Sequence, residues 1–273
     1  MQSLGGPLLL IGCGKMGGAL LDGWIERGID PAEITIVEPN DDQRKTLATK
    51  GVATLARAEE VPGNLAPALV ALAVKPQQMD AALDAAGGWR GERTVFLSIA
   101  AGKTIGYFQD RLGAGTPVVR AMPNTPAAVG RGVSVLVASP EVPRAAQSLC
   151  EELLRAVGDV AWVEDEALMD AVTAVSGGGP AYVFLLIECL AKAGVESGLP
   201  EDLAMRIARG TVAGAGELVR QAEEPASKLR ENVSSPGGTT LEALKVLMAE
   251  DGLQPLMSKA IAAATKRSRD LAE

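Results

Sequence analysis

Apolar and polar positions divide the chain into two parts. Between residues 7 and 165, short continuous runs of Val, Leu and Ile alternate with segments whose apolar residues recur at helical spacing. Continuous runs are typical of strands covered on both faces, and their alternation with helices, such as Gly17–Arg27 and Asp42–Lys50, indicates βαβ units in a mostly parallel sheet. The predicted strands are Leu8–Ile11, Ile34–Val37, Leu69–Val74, Thr94–Ile99, Pro117–Ala121 and Val133–Val137.

After Asp165 the strand pattern stops and every apolar segment has helical spacing. The fold class predicted is α/β, with a Rossmann-like parallel-sheet domain at 1–165 and an all-helical domain at 166–273. The run Pro200–Gln221 is rich in Ala and Gly, which favours close packing, so we expect a buried helix in a subunit interface. The predicted helices are Ala167–Val175, Ala181–Gly194, Pro200–Gln221, Thr239–Ala249 and Gln254–Leu271.

Composition excludes several function classes. The 273 residues carry a net charge of −8 with 3% aromatic residues, whereas nucleic-acid binding needs a basic face and stacking platforms. Histidine is absent, which removes imidazole bases and histidine-ligated metals, and three distant cysteines favour neither disulfides nor zinc. We expect no metal site. The sequence shows no targeting segment and no stretch approaching a membrane span, so we expect a cytoplasmic protein without membrane contact.

A glycine-rich turn follows the first predicted strand and opens a helix. Its G-x-G-x-x-G pattern permits a tight turn, close approach of a pyrophosphate and helix–strand packing, which together predict dinucleotide binding. A purely structural turn is the alternative. The predicted cofactor residues of this turn are Gly12, Cys13, Gly14, Lys15, Met16 and Gly17.

Glu38 and Asn40 follow the second strand, where an acidic side chain usually accepts the ribose hydroxyls of NAD and repels the 2′-phosphate of NADP. Glu38 therefore favours NADH, although Arg44 can meet a phosphate. Further cofactor contacts are predicted at the carboxyl ends of later strands, with a plain strand-ending turn as the alternative for the first two groups. These residues are Ala73, Val74, Lys75, Pro76, Ile99, Ala100, Ala101 and Asn124.

The segment Asn232–Thr240 places two glycines and two threonines before a helical run. Thr239 and Glu242 match a capping box, so the helix is expected to begin there. Glycines before a helix start also let backbone N–H groups reach a small anion. A capped helix after a Pro-Gly turn is the alternative interpretation.

Five motifs in this order resemble pyrroline-5-carboxylate reductases over essentially the whole chain. The resemblance implies NAD(P)H-dependent reduction of 1-pyrroline-5-carboxylate to L-proline, the last step of proline biosynthesis. It also implies a homodimer that interlocks through the helical domain and assembles into a larger ring. The motifs are Gly12-Cys-Gly-Lys-Met-Gly17, Ala73-Val-Lys-Pro76, Arg120-Ala-Met-Pro-Asn-Thr-Pro126, Asp170-Ala-Val-Thr-Ala-Val-Ser-Gly-Gly-Gly-Pro-Ala-Tyr182 and Ser234-Ser-Pro-Gly-Gly-Thr-Thr240.

Two positions depart from the family's pattern. Gly178 stands where the family usually has a serine, and Glu38 stands where many members have a small or neutral residue. The family's usual preference is for NADPH, so at Glu38 residue chemistry and family habit point to different cofactors.

The substrate is a cyclic imine with a carboxylate, and its protonated form needs no strong enzymic acid. We expect the N–H groups of Gly238 and Thr239 to hold the carboxylate and the Thr240 hydroxyl to serve catalysis at the ring nitrogen. The resemblance adds Glu166, Asn232 and Ser176 to the substrate site. Glu166 has a structural alternative, a first-turn carboxylate favoured by the helix dipole. Asn124 is expected near the nicotinamide.

Two alternatives stay open. A β-hydroxyacid dehydrogenase shares this architecture but uses a helical lysine, for which Lys192 is the candidate, outside that family's spacing. A non-enzymatic NAD(P)H sensor needs no Ser234–Thr240 loop. The sequence leaves open the preferred cofactor, the oligomer count, regulation by proline and activity on the six-membered homologue.

Overall fold

The computed structural model describes residues 5–86, 89 and 94–272. These residues form two compact units, one up to Gly177 together with the segment from Thr265 onward, and one over Gly178–Ala264. The domain boundary placed after residue 165 stays a prediction.

The first unit contains an eight-stranded sheet of order β3-β2-β1-β4-β5-β6-β7-β8. Neighbouring strands are parallel except β6 and β7, which are antiparallel. This confirms the mostly parallel sheet and puts the carboxyl ends of β1, β2, β4, β5 and β6 on one edge. The strands are β1 Leu8–Ile11, β2 Ile34–Val37, β3 Ala53–Leu55, β4 Leu69–Leu72, β5 Val95–Ser98, β6 Val118–Met122, β7 Gly132–Ala138 and β8 Gly158–Trp162.

Helices cover both faces of the sheet, as the continuous apolar runs indicated. Leu8 and Leu10 belong to one cluster of buried side chains, and Leu9 and Ile11 to the other. Because successive side chains of a strand point to opposite faces, β1 serves two cores at once. The helices of this unit are α1 Lys15–Glu26, α2 Asp41–Ala48, α3 Met79–Ala86, α4 Ile105–Leu112, α5 Arg144–Arg155 and α6 Met169–Val172, followed by a π-helical turn Thr173–Gly177.

The second unit is helical. α7 and α8 pack on each other, and Gly194 gives the room: a Cβ there would lie 3.3 Å from the Cβ of Ala204. In the single chain the side chains of α8 are mostly exposed and only Ala204 and Ala208 are buried, so the burial of this helix in a subunit interface stays a prediction. The remaining helices are α7 Gly179–Glu196, α8 Glu201–Gln221, α9 Ala226–Asn232, α10 Thr239–Leu247 and α11 Leu253–Ala272, of which α11 belongs to the first unit from Thr265 onward.

One helical run, Glu166–Glu196, is long and apolar enough to cross a membrane by length and composition alone. The expectation that no stretch approaches a membrane span was therefore wrong. The pattern predicted two shorter helices, and the turn between them is helical in the structure. Much of the apolar surface of the run Glu166–Glu196, including Phe184 and Leu185, is exposed in the single chain.

Candidate active site

The glycine turn between β1 and α1 gives each of its glycines a distinct role. Gly12 has φ +84°, and a Cβ there would lie 2.7 Å from Cγ1 of Val74. A Cβ on Gly17 would lie 2.6 Å from the carbonyl oxygen of Gly12, so Gly17 lets α1 pack against the turn. A Cβ on Gly14 would meet no atom within 4 Å. Gly14 therefore leaves open space at the start of α1, where N–H groups and the helix dipole favour a phosphate.

Cys13 contributes to this turn through its backbone. Its N–H donates to Oε2 of Glu38 at 3.0 Å, and its carbonyl oxygen accepts a hydrogen bond from the side-chain amide of Gln43. Burial, and then the nearby charge of Glu38, raise the pKa of the Cys13 thiol to about 12. The thiol is thus neutral at physiological pH and unsuited to nucleophilic chemistry. Lys15 and Met16 begin α1.

Glu38 joins the glycine turn to the turn after β2. Its other oxygen, Oε1, accepts from the backbone N–H of Asn40 at 3.0 Å, and the residue is only 7% exposed. Asn40 in turn caps α2, since its Oδ1 accepts from the N–H of Gln43. The two residues predicted to meet the ribose therefore lie together beside Cys13.

The predicted contacts after β4 and β5 lie on the same edge of the sheet. β1 is flanked by β2 and β4, and β5 lies beyond β4, so the segments that follow these strands are neighbours. Pro76 begins a 3₁₀ turn after β4, and after β5 the N–H of Ala100 donates to the Ser98 hydroxyl. The segments concerned are Ala73, Val74, Lys75 and Pro76, and Ile99, Ala100 and Ala101.

Asn124 fastens the end of β6 to the π-helical turn. Its Nδ2 lies 3.2 Å from Oγ and 3.3 Å from the carbonyl oxygen of Ser176, and its Oδ1 accepts from the N–H of Val133 at 2.8 Å. Met122 packs beside Gly177, where a Cβ would overlap its Cε. Asn124 and Ser176, predicted separately for cofactor and substrate, are thus direct partners. π-helical turns are frequent at functional sites.

Glu166 bonds inside the first unit. Its Oε1 accepts from Nη1 of Arg120 at 2.9 Å and from the N–H of Ile105, at the start of α4, at 2.8 Å. Asp165, and not Glu166, caps the helical turn, because its Oδ1 accepts from the N–H of Ala167. Sequence reasoning missed the role of Arg120, although a charge inside the apolar strand Val118–Met122 was a usable signal.

The predicted capping box at α10 is wrong, although the helix begins at the predicted residue. Thr239 is already the first helical residue, Gly238 is the N-cap, and Glu242 pairs with Lys245 at 2.7 Å. No side chain of the described residues caps this helix. A Gly N-cap leaves the first N–H groups to water or to a ligand. Thr239, Thr240 and Asn232, the last residue of α9, are exposed.

Comparisons with known proteins match both parts of the chain. Residues 166–271 match the family model for pyrroline-5-carboxylate reductase dimerisation, and residues 8–102 match the model for coenzyme F420-dependent NADP oxidoreductases. The pyrroline-5-carboxylate reductase of Pseudomonas aeruginosa is 39% identical over 97% of both chains. That of Synechocystis is 38% identical over 96% of this chain and 97% of its own. The chain belongs to the pyrroline-5-carboxylate reductase family.

Solved structures from this family share the whole fold. The pyrroline-5-carboxylate reductase from Coxiella burnetii superimposes with a TM-score of 0.92 at 34% identity, covering 98% of this chain and 99% of its own. A Plasmodium falciparum pyrroline carboxylate reductase with NADP bound gives a TM-score of 0.81 at 28% identity, with 98% of each chain covered. Family membership makes the protein an oxidoreductase with a helical dimerisation domain. The exposed apolar surface of α7 lies within the segment that matches the dimerisation model.

Proposed function

We propose that the protein reduces 1-pyrroline-5-carboxylate to L-proline with NADH or NADPH, as the last step of proline biosynthesis. Two features of one chain carry the proposal: a glycine turn left open at Gly14, and a helix start without a side-chain cap at Gly238. The first suits the pyrophosphate of a dinucleotide, and the second suits a small carboxylate. Relatives named pyrroline-5-carboxylate reductase, which match over nearly their full length, support the presence of both sites in one enzyme.

The chemistry adds a hydride to the carbon of the C=N bond and a proton to its nitrogen, which gives the secondary amine of proline. When bound, the reduced dinucleotide supplies the hydride. The N–H groups of Gly238 and Thr239 hold the substrate carboxylate, and the Thr240 hydroxyl hydrogen-bonds the ring nitrogen and relays a proton from water. The main task of the enzyme is to orient the reactants, which can lower the activation free energy by about 7–11 kcal/mol. A chain without histidine suits a reaction that needs no strong acid.

Asn232, Glu166 and Ser176 complete the proposed substrate site. Ser176 is oriented by Asn124, whose side chain bonds its hydroxyl and its carbonyl oxygen. Glu166 has its Oε1 engaged by Arg120 and by the start of α4, so we assign it a part in holding these elements together as well as in contacting substrate.

The assembly and location follow the same proposal. The protein acts in the cytoplasm as a homodimer that assembles into a larger ring, and it has no membrane or nucleic-acid partner. The exposed apolar side chains of the helical unit, Phe184 and Leu218 among them, support a subunit interface. The net charge of −8 disfavours nucleic acid.

Steady-state kinetics with two sets of reactants, together with a cofactor-binding measurement, tests the function. We expect oxidation of NADH or NADPH with 1-pyrroline-5-carboxylate. Reduction of NAD(P)⁺ by 3-hydroxyisobutyrate-type acids would instead indicate a β-hydroxyacid dehydrogenase, in which Lys192, exposed on α7, is the candidate base. Cofactor binding without turnover of either substrate would indicate a sensor.

A further inference from the structure

We propose that the turn after β2 selects NADH over NADPH, with Glu38 as the specificity-determining residue and with Arg44 held away from a 2′-phosphate. The inference rests on the proposed function only in that it presupposes a nicotinamide dinucleotide at the glycine turn. The family usually prefers NADPH, so a preference for NADH must come from residues particular to this chain.

Glu38 is held in place after β2, where an acidic side chain of a dinucleotide-binding fold normally contacts the ribose. Its two oxygens each accept one backbone N–H, from Cys13 and from Asn40, both at 3.0 Å. These bonds tie the carboxylate to the glycine turn and to the start of α2, so it cannot swing away without losing both. An ionised carboxylate only accepts hydrogen bonds, with about four lone-pair sites. It can still accept ribose hydroxyls, whereas a 2′-phosphate offers it only negative charge.

Arg44, the cation best placed to offset Glu38, is already engaged. Its Nη1 donates to the carbonyl oxygens of Glu38 and Pro39, both at 2.8 Å, and its Nη2 pairs with Asp41 at 2.9 Å. The side chain is only 20% exposed. Binding a phosphate bidentately would require it to leave these partners. Arg44 therefore stabilises the turn after β2.

The remaining charges after β2 also disfavour a phosphate. Asp41 and Asp42 lie in the first turn of α2, and Lys45 pairs with them at 2.7 and 3.5 Å. The side chain of Asn40 caps the helix. With Glu38 there are three carboxylates against the two cations Arg44 and Lys45, and both cations are paired with acids. A phosphate carrying up to two negative charges would enter a net negative turn.

Arg57 is the cation at this edge most able to rearrange. It follows β3, which pairs with β2, and it is 75% exposed with a surface ion pair to Glu60 at 3.2 Å. Exposed pairs of this kind are weak. An Arg57 that turned to a 2′-phosphate would overcome the exclusion by Glu38, so it must be tested beside Arg44.

Calorimetric binding without substrate tests the inference. Wild-type protein should bind NADH about tenfold or more tightly than NADPH, because unscreened like charges at close range repel strongly. The fragments 5′-AMP and 2′,5′-ADP should show the same order, which isolates the 2′-phosphate from the nicotinamide. Tighter binding of NADPH and of 2′,5′-ADP by the wild type would overturn the proposal.

Variants locate the cause. Glu38→Ser should bring the two dissociation constants together or invert their order, chiefly by strengthening NADPH binding, and Glu38→Gln serves if the serine variant does not fold. Glu33→Ser removes an exposed acid before the same strand and should leave the ratio unchanged. Arg44→Ala and Arg57→Ala should not weaken NADPH selectively. A selective loss of NADPH binding in either variant, or an unchanged ratio in both Glu38 variants, would refute the assignment.

The outcomes separate this inference from the proposed function. A protein that prefers NADPH and still makes proline refutes only the cofactor assignment. A protein that prefers NADH and makes no proline refutes only the proposed reaction.

Discussion

Arg120 and Glu166 form an ion pair of 2.9 Å between a buried strand and the first helical turn after the sheet. The Arg120 side chain is 5% exposed, so the Glu166 carboxylate compensates a positive charge that is buried away from water, and Glu166 also holds the start of α4. The pair makes the beginning of the 166–177 helical segment part of the first unit's core. A residue assigned to substrate by family resemblance therefore has a structural role as well.

Glu166→Ala should lower the free energy of unfolding by about 1–3 kcal/mol, because it leaves a buried donor of Arg120 without its acceptor. Glu164→Ala removes an exposed carboxylate two residues earlier and should have little effect. Urea denaturation of both variants measures the difference. Equal stabilities would mean that the ion pair contributes nothing.

Gly14→Val should abolish dinucleotide binding while the protein stays folded. Gly14 has extended backbone angles, φ −65° and ψ −161°, and its Cβ would point into open space, so the side chain obstructs only an incoming phosphate. Gly17→Val should also abolish binding, but with loss of stability, since its Cβ would lie 2.6 Å from the oxygen of Gly12.

Gly18→Ala is the matched control, because a Cβ there lies 3.9 Å from its nearest neighbour. Calorimetry with NADH and a thermal melt distinguish the three variants. If Gly14→Val bound NADH as tightly as the wild type, the glycine turn would not be the cofactor site.

Thr240→Ala should lower kcat by about 10²-fold, the usual effect of losing one positioned proton-transfer group. The dissociation constant of the cofactor should stay unchanged, because the glycine turn is untouched. Thr240→Ser should recover most of the rate, and Thr239→Ala, which retains the backbone N–H, should cost far less. An unchanged kcat in Thr240→Ala removes this hydroxyl from the mechanism.

The helical unit should form a dimer with an interface of about 2,000 Å² or more, typical of obligate assemblies. Phe184→Glu places a charge on α7 at a side chain that is 58% exposed in the single chain, and it should favour the monomer. Val129→Glu alters an equally apolar position, 73% exposed, in the first unit and should leave the dimer intact. Sedimentation velocity at micromolar concentration measures both. A fully active wild-type monomer would contradict the assignment.

The sheet was largely predictable, because strands covered on both faces carry continuous apolar runs. The two missed strands lie at its edges. In β8, buried Val160 stands between exposed Asp159 and Ala161, a weak alternation over a short segment. In β3, Ala53 is exposed and the other two residues are only partly buried. Helix α9 was missed because Ala226–Asn232 has a single large apolar residue, Leu229.

The candidate site was predictable where a local motif carries the geometry and not where distant residues meet. Gly12 has the positive φ of a tight turn and Gly17 allows close packing, as their spacing indicates, and Gly14 leaves open space. That a pyrophosphate binds there stays a prediction. The Arg120–Glu166 pair joins residues 46 positions apart, and no local pattern specifies it. The capping box failed because Thr239 and Gly238 are both plausible helix starts, and a one-residue shift moves the threonine hydroxyl from the cap into the helix.

The central claim is the reduction of 1-pyrroline-5-carboxylate, and the most direct test measures both products of one reaction. Purified protein is mixed with 1-pyrroline-5-carboxylate and NADH or NADPH, and the loss of reduced nicotinamide is compared with the L-proline formed. We predict one proline for each dinucleotide oxidised, and a rate that falls by about 10²-fold in Thr240→Ala. No proline with either cofactor, from protein that binds the dinucleotide and is folded, would contradict the account.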